Sequence, residues 1–200
     1  HVPVPLTPDY GGPIVRYADG VVDLQLDRYV TVREDHRESK TNPSATIVSV
    51  ELSGDQMKEP TILVGGSDFY AFPRLTPDGK KMAWIEWSHP NMPWDKAELW
   101  VGYLSADGKI EKRVCIAGKD PNLIESPSEP KWSTQGELFF VTSTGRMDSG
   151  ICTNGSSQRM KCKPCIHWMQ NLQGLHGYLA IALMLSSSTR DRITILHART

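Results

Sequence analysis

The chain has 200 residues, 22 of them Lys or Arg and 23 Asp or Glu, with a formal net charge of −1 at pH 7 and 39% hydrophobic residues. This length supports one domain with a sizeable core. The near balance of charge gives no sign of a nucleic-acid or membrane surface, so neither partner is expected. Charge is unevenly distributed, however. Residues 1–150 carry a net charge of −6, and residues 151–200, with Asp191 as their one acid, carry +5. Thirteen of the fourteen prolines precede residue 150, whereas three of the four cysteines follow it. A break this sharp divides the chain into segments of different role.

In chain order, "HVPVPLTPDYGG" has neither a basic nor an apolar stretch of signal-peptide type; it reads as an internal start. Seven short β-branched or aromatic runs follow: "RYVTVRED", "TIVSVEL", "TILVGG", "KMAWIEW", "ELWVGYL", "KRVCIAG" and "ELFFVTS". Turn signals such as "PDGK" at 77–80, "ADGK" at 106–109 and "TQGE" at 134–137 bound them. No stretch keeps a helical period, which predicts an all-β fold. "FPRLTPDGKKMAWIEW" from Phe72 and "PSEPKWSTQGELFFVTS" from Pro127 repeat one pattern, their glycines Gly79 and Gly136 lying 57 residues apart. A weaker copy starts at Ala18. In the middle copy the predicted strands are Ala71–Leu75, Lys81–Trp87, Glu98–Leu104 and Glu111–Ala117. Four antiparallel strands per repeat is a propeller blade. The expectation is a partial β-propeller over 1–150, with two four-stranded blades and the start of another. About 4 to 8 blades close a ring, so the outer blade faces are expected to be exposed and apolar.

The tail, residues 151–200, is expected to be non-homologous to the blades and poorly ordered. Its longest apolar run, Tyr178 to Leu185, is far short of the roughly 20 residues that span a bilayer. Cys152, Cys162, Cys165 and His167 include a C-x-x-C spacing of zinc-ligand type. No second knuckle accompanies it, so neither metal nor cofactor is expected. Cys115 stands alone in the first segment, which argues against a disulfide scaffold.

The segment Asp68–Ile110, with "HPNMPWD" before "ELWV", followed by "PSEPKWSTQGELFFVTSTGRMDSG", resembles the propeller of the prolyl oligopeptidase family of serine peptidases. The nearest branch is the dipeptidyl-aminopeptidase and acylaminoacyl-peptidase-like one, and the resemblance runs from Leu6 to Gly150. It implies a propeller that gates and positions peptides for a C-terminal α/β-hydrolase domain, so the implied partners are a peptide substrate and that domain. The hydrolase serine sits on a G-x-S-x-G elbow. The nearest stretch here, "GGSDF" at 65–69, lacks the final glycine. No catalytic residue is assigned, and the chain alone is expected to be inactive. The alternative is a non-enzymatic scaffold of TolB or WD40 type. A cytoplasmic location is expected, with a plastid or other organelle open.

Loop lengths divide the two ends of each blade. The turns "TPDGKK" and "SADGKI" are tight, while "SHPNMPWDKA", "GGSDFYAF" and "AGKDPNLIESPSEP" are longer and rich in proline and aromatics. Binding residues tend to lie on such loops. This makes Glu86, His89, Trp94 and Asp95 candidates for a substrate or interdomain contact. The competing reading has Trp87, Pro90, Pro93 and Trp94 packing on each other to pin the loop. "REDHRES" at 33–39 reads as a solvated hairpin end with ion pairs, or as an electrostatic contact with a peptide terminus.

Overall fold

The computed structural model describes residues 3–53, 57–144, 148–154 and 161–164, with backbone alone from 143 onward. The described residues form twelve strands. The first sheet is β1 (Val15–Asp23), β2 (Arg28–Asp35), β3 (Ser44–Glu51) and β4 (Thr61–Val64). β5 (Phe69–Leu75), β6 (Lys81–Trp87), β7 (Glu98–Leu104) and β8 (Ile110–Ala117) form the second. The third is β9 (Glu125–Trp132), β10 (Leu138–Thr144), β11 (Asp148–Asn154) and β12 (Lys161–Pro164). Each is an antiparallel meander in chain order, as a propeller blade requires.

The tight turns share one wiring. In all three a hydroxyl residue starts the turn and a left-handed glycine ends it. Gly79, Gly108 and Gly136 donate their N–H groups to the carbonyls of Thr76, Ser105 and Ser133 at 2.9, 2.9 and 3.1 Å, with φ of 66°, 76° and 80°. The starting hydroxyl then accepts a backbone N–H from the returning strand, at 3.0 Å from Lys81, 3.1 Å from Lys109 and 3.0 Å from Glu137. In the first sheet Asp23 takes the hydroxyl's place and accepts from Gln25 N at 3.1 Å.

Alternation then places the cores. Val30, Ile47 and Val64 of the first sheet meet Tyr70, Met82 and Trp84 of the second. From the other face of the second sheet, Ala83, Ile85, Leu99, Val101 and Ala117 meet Leu138 and Phe140 of the third. β6 is thus buried on both faces, and five of its seven residues are buried. Gly102 leaves room for the buried Trp84 ring, because a Cβ there would lie 2.9 Å from its Cζ3 atom. Polar ties reinforce the stacking. Arg28, buried against Asp23 at 2.9 Å, donates to the Gly108 carbonyl at 2.9 Å. Trp132 Nε1 donates to the Arg74 carbonyl at 2.8 Å.

The first strand of each sheet carries a bulge that the sequence repeat did not reveal. Register shifts in β1, β5 and β9 coincide with the positive-φ residues Asp19, Phe72 and Glu129, at 47°, 55° and 52°. Such φ values are rare outside glycine, and their recurrence at equivalent positions marks a built feature of the repeat.

The outward face of the first sheet is mixed where an apolar one was expected: Val22 and Ile62 are exposed on it, and charged residues share it. Arg33 and Asp35 alternate with Val30 and Val32, so they lie on the face away from the core. Arg33 pairs with Glu59 at 2.8 Å, and Arg37 pairs with Asp35 at 2.6 Å and Glu59 at 2.8 Å. Mutual pairing lets Arg33 and Asp35 be buried, so "REDHRES" is only partly a solvated hairpin end. β11 runs across Gly150, its backbone pairing with β10 from Asp148 to Asn154. The expectation of poor order over 151–200 falls, at 155–160 and from 165 onward, outside the described residues.

Candidate functional site

The longer loops gather at one end of the second sheet. There, an open cleft of about 260 Å³ is lined by Ser67, Glu86, Trp87, Ser88, His89, Asn91, Lys96, Ala97 and Glu98. Its floor comes from the β6–β7 ladder. Glu86 and Glu98 are direct register partners, as are Trp84 and Trp100. Each indole N–H donates to the carboxylate two residues along its own strand, Trp84 to Glu86 at 2.8 Å and Trp100 to Glu98 at 2.9 Å. The period of two puts each Trp and its Glu on the same face. The sequence carries this signal in mirror order, "WIE" on one strand and "ELW" on the next.

Glu86 is only 5% exposed. Its other oxygen accepts from Ser67 Oγ at 3.1 Å, and Arg113 Nη1 lies 3.7 Å from the oxygen that Trp84 holds. The Arg113 guanidinium also stacks over the Trp100 ring, 4.6 Å from its centroid. Tyr70 OH accepts the Ser67 N–H at 2.7 Å. Burial, with the Glu86 charge adding to it, pushes the Tyr70 phenol above its ordinary range.

The loop aromatics divide into two groups. Trp87 stacks on Phe69 with centroids 5.4 Å apart, and His89 meets the same ring edge-on at 5.0 Å. Asp68 fastens this wall by accepting the His89 N–H at 2.9 Å, and the His89–Pro90 peptide is cis. Trp94 is different: it is 67% exposed. The expectation that it packs with Trp87 and the prolines is corrected by that exposure, and Trp87 stacks on Phe69. The loop is held by main-chain ties instead. Asp95 exchanges bonds with Met92, its carboxylate accepting from Met92 N at 3.2 Å and its own N–H donating to the Met92 carbonyl at 2.9 Å. Ser126 Oγ donates to the Pro93 carbonyl at 2.5 Å. Of the four candidates, Glu86 and His89 line the cleft, Trp94 projects beside it, and Asp95 closes its own turn. Sequence reasoning missed Glu98, Lys96 and Ser67.

The cysteine candidates lie elsewhere. Cys152 and Cys162 are register partners on β11 and β12, while Cys165 and His167 fall outside the described residues. Among the described residues, no three His, Cys, Asp or Glu side chains gather as a metal site. No helix there is long and apolar enough to cross a membrane.

No family model matches the chain. No curated protein matches it either. Solved structures do. A puromycin-hydrolyzing peptidase of Mycobacterium tuberculosis is similar over 79% of this chain, at 28% identity and a TM-score of 0.67. A mutant puromycin hydrolase complexed with PGG and the puromycin hydrolase itself are similar over the same share, each at 25% identity, with TM-scores of 0.66 and 0.64. These neighbours are peptidases of the prolyl oligopeptidase family, and the likeness covers a fragment of each. The chain spans 25% of the length of each of these relatives and is a partial β-propeller. In this partial propeller the cleft offers an anionic floor, an aromatic wall and the Lys96 ammonium. These groups can hold and orient a polar ligand. Nucleophilic hydrolysis also needs an activated hydroxyl beside a base and oxyanion donors, and Ser67 instead donates its hydroxyl to a carboxylate.

Proposed function

We propose that this chain is part of a propeller that admits short peptides or aminoacyl amides and positions them for hydrolysis by a serine hydrolase domain lying outside these 200 residues. The carrying observation is the structural match of 79% of the chain to a quarter of peptidases that hydrolyse puromycin. The build of the sheet supports the division of labour. One end is trimmed to glycine turns, while the other carries the cleft and the exposed Trp94. Glu86 and Glu98 supply negative potential at the cleft floor, His89 and Trp87 an apolar wall, and Trp94 a contact for substrate or hydrolase domain. Asp95 supports that contact by holding the loop.

The test is to sequence transcripts of the gene across and beyond the Gly150 codon. The expected result is an in-frame G-x-S-x-G elbow several blades downstream, followed by an acid and a histidine. Further WD-like blades with no elbow would instead establish a binding scaffold and overturn the proposal.

A further inference from the structure

The third sheet contains a pairing with no part in the cleft. β11 and β12 run antiparallel, and Cys152 is the direct register partner of Cys162, between the pairs Ile151↔Lys163 and Thr153↔Lys161. Opposed residues of an antiparallel pair share one face of the sheet, with Cα atoms about 4.5 or 5.5 Å apart. Disulfides span Cα separations of about 4.4–6.8 Å. The backbone ladder alone therefore holds these cysteines at a bridging separation, whereas sequence spacing draws attention to Cys162 and Cys165.

We propose that the juxtaposition of Cys152 and Cys162 across β11 and β12 is the site of a reversible cross-strand disulfide. The oxidant is a low-molecular-weight disulfide such as oxidised glutathione. One cysteine thiolate attacks a sulfur of that disulfide, forming a mixed disulfide and expelling one glutathione thiolate. The second cysteine's thiolate attacks the protein sulfur of the mixed disulfide, forming the Cys152–Cys162 bond and expelling the second glutathione. Two protein thiols lose two electrons and two protons, and one glutathione disulfide becomes two glutathione thiols.

The bond fixes a register that hydrogen bonds alone leave open to slippage. A shift of one residue would turn every β12 side chain to the other face, and β12 is the last strand of its sheet. Cys115 is a poor competitor, because burial pushes its thiol up to about 11 and leaves little thiolate.

The test equilibrates the full 200-residue chain with mixtures of reduced and oxidised glutathione, alkylates free thiols and maps disulfides by mass spectrometry. A parallel sample is oxidised in guanidinium. Under native conditions the Cys152–Cys162 link should exceed Cys162–Cys165 by at least about tenfold, and the denatured chain should lose that preference. The link should survive in the double variant Cys115→Ser, Cys165→Ser, and amide exchange over 148–154 and 161–164 should slow on oxidation. Dominance of Cys162–Cys165 in the native chain would overturn the proposal. So would equal alkylation of all three tail thiols under the most oxidising mixture, or a bound zinc ion that protects them together.

Discussion

Glu86 is buried, and its nearest cation lies at 3.7 Å, beyond hydrogen-bonding reach. Its place is secured by donors, the Trp84 indole and the Ser67 hydroxyl. Replacing it with leucine strands the fully buried Trp84 indole donor. Leaving such a group unsatisfied costs about 1–3 kcal/mol. Glu86→Leu should therefore lower the urea midpoint by that equivalent, and Glu86→Gln, which keeps an acceptor for the indole, should lower it less. Trp94 predicts the opposite division. Being mostly exposed, it contributes little to folding. In a longer product carrying the proposed hydrolase domain, Trp94→Ala should leave the thermal midpoint within about 1 °C but weaken kcat/KM by roughly 5–30-fold, the loss of an aromatic contact of about 1–2 kcal/mol. Unchanged kinetics would remove Trp94 from the contact surface.

At the scale of elements, the turns and the charged face of the first sheet carry the sharpest expectations. Gly79 has φ of 66°, and the end of the Gln25 side chain lies near where its Cβ would stand. Gly79→Ala should destabilise by about 1–2 kcal/mol, read as a lower urea midpoint at constant slope. The Asp35–Arg37–Glu59 cluster predicts an acid response. Hydrogen bonding to Arg37 holds the Asp35 carboxyl below its ordinary range. Burial works to raise Glu59, but hydrogen bonds from Arg37 and Tyr10 outweigh it and leave that carboxyl lowered too. A carboxyl depressed in the folded state adds stability above its unfolded value, about 4, and that stability is lost as pH falls through the folded value. Stability should thus be level through neutral pH and fall below about pH 4. Asp35→Asn should flatten that fall, and an unaltered acid limb would contradict the assignment.

Much of this was legible. The middle blade's strands were bounded by "TPDGKK" and "SADGKI", where hydroxyl, aspartate and glycine each have a local physical role, and β6 and β7 begin and end where those signals place them. The bulges at Asp19, Phe72 and Glu129 were not legible, because Phe and Glu do not favour a positive φ and the three positions share no residue type. The cleft was half legible. The loop residues advertised it, but Glu98 enters only through cross-strand register with Glu86, and Ser67 only where the β4–β5 connection meets Glu86.

At the scale of the whole molecule, the three stacked sheets make up one quarter of the chain length seen in the puromycin-hydrolyzing relatives. In the proposed function these blades admit substrate and a serine on another domain cleaves the bond. Labelling with a fluorophosphonate probe tests that assignment most directly, with the 200-residue chain and the full-length gene product treated in parallel and assayed on aminoacyl and acyl-aminoacyl chromogenic amides. The account predicts one labelled serine and measurable turnover in the full-length product, and neither in the 200-residue chain, since loss of the catalytic groups lowers rates by about 10⁴-fold or more. Stoichiometric labelling of a serine within residues 1–200, with turnover abolished by its change to alanine, would contradict it.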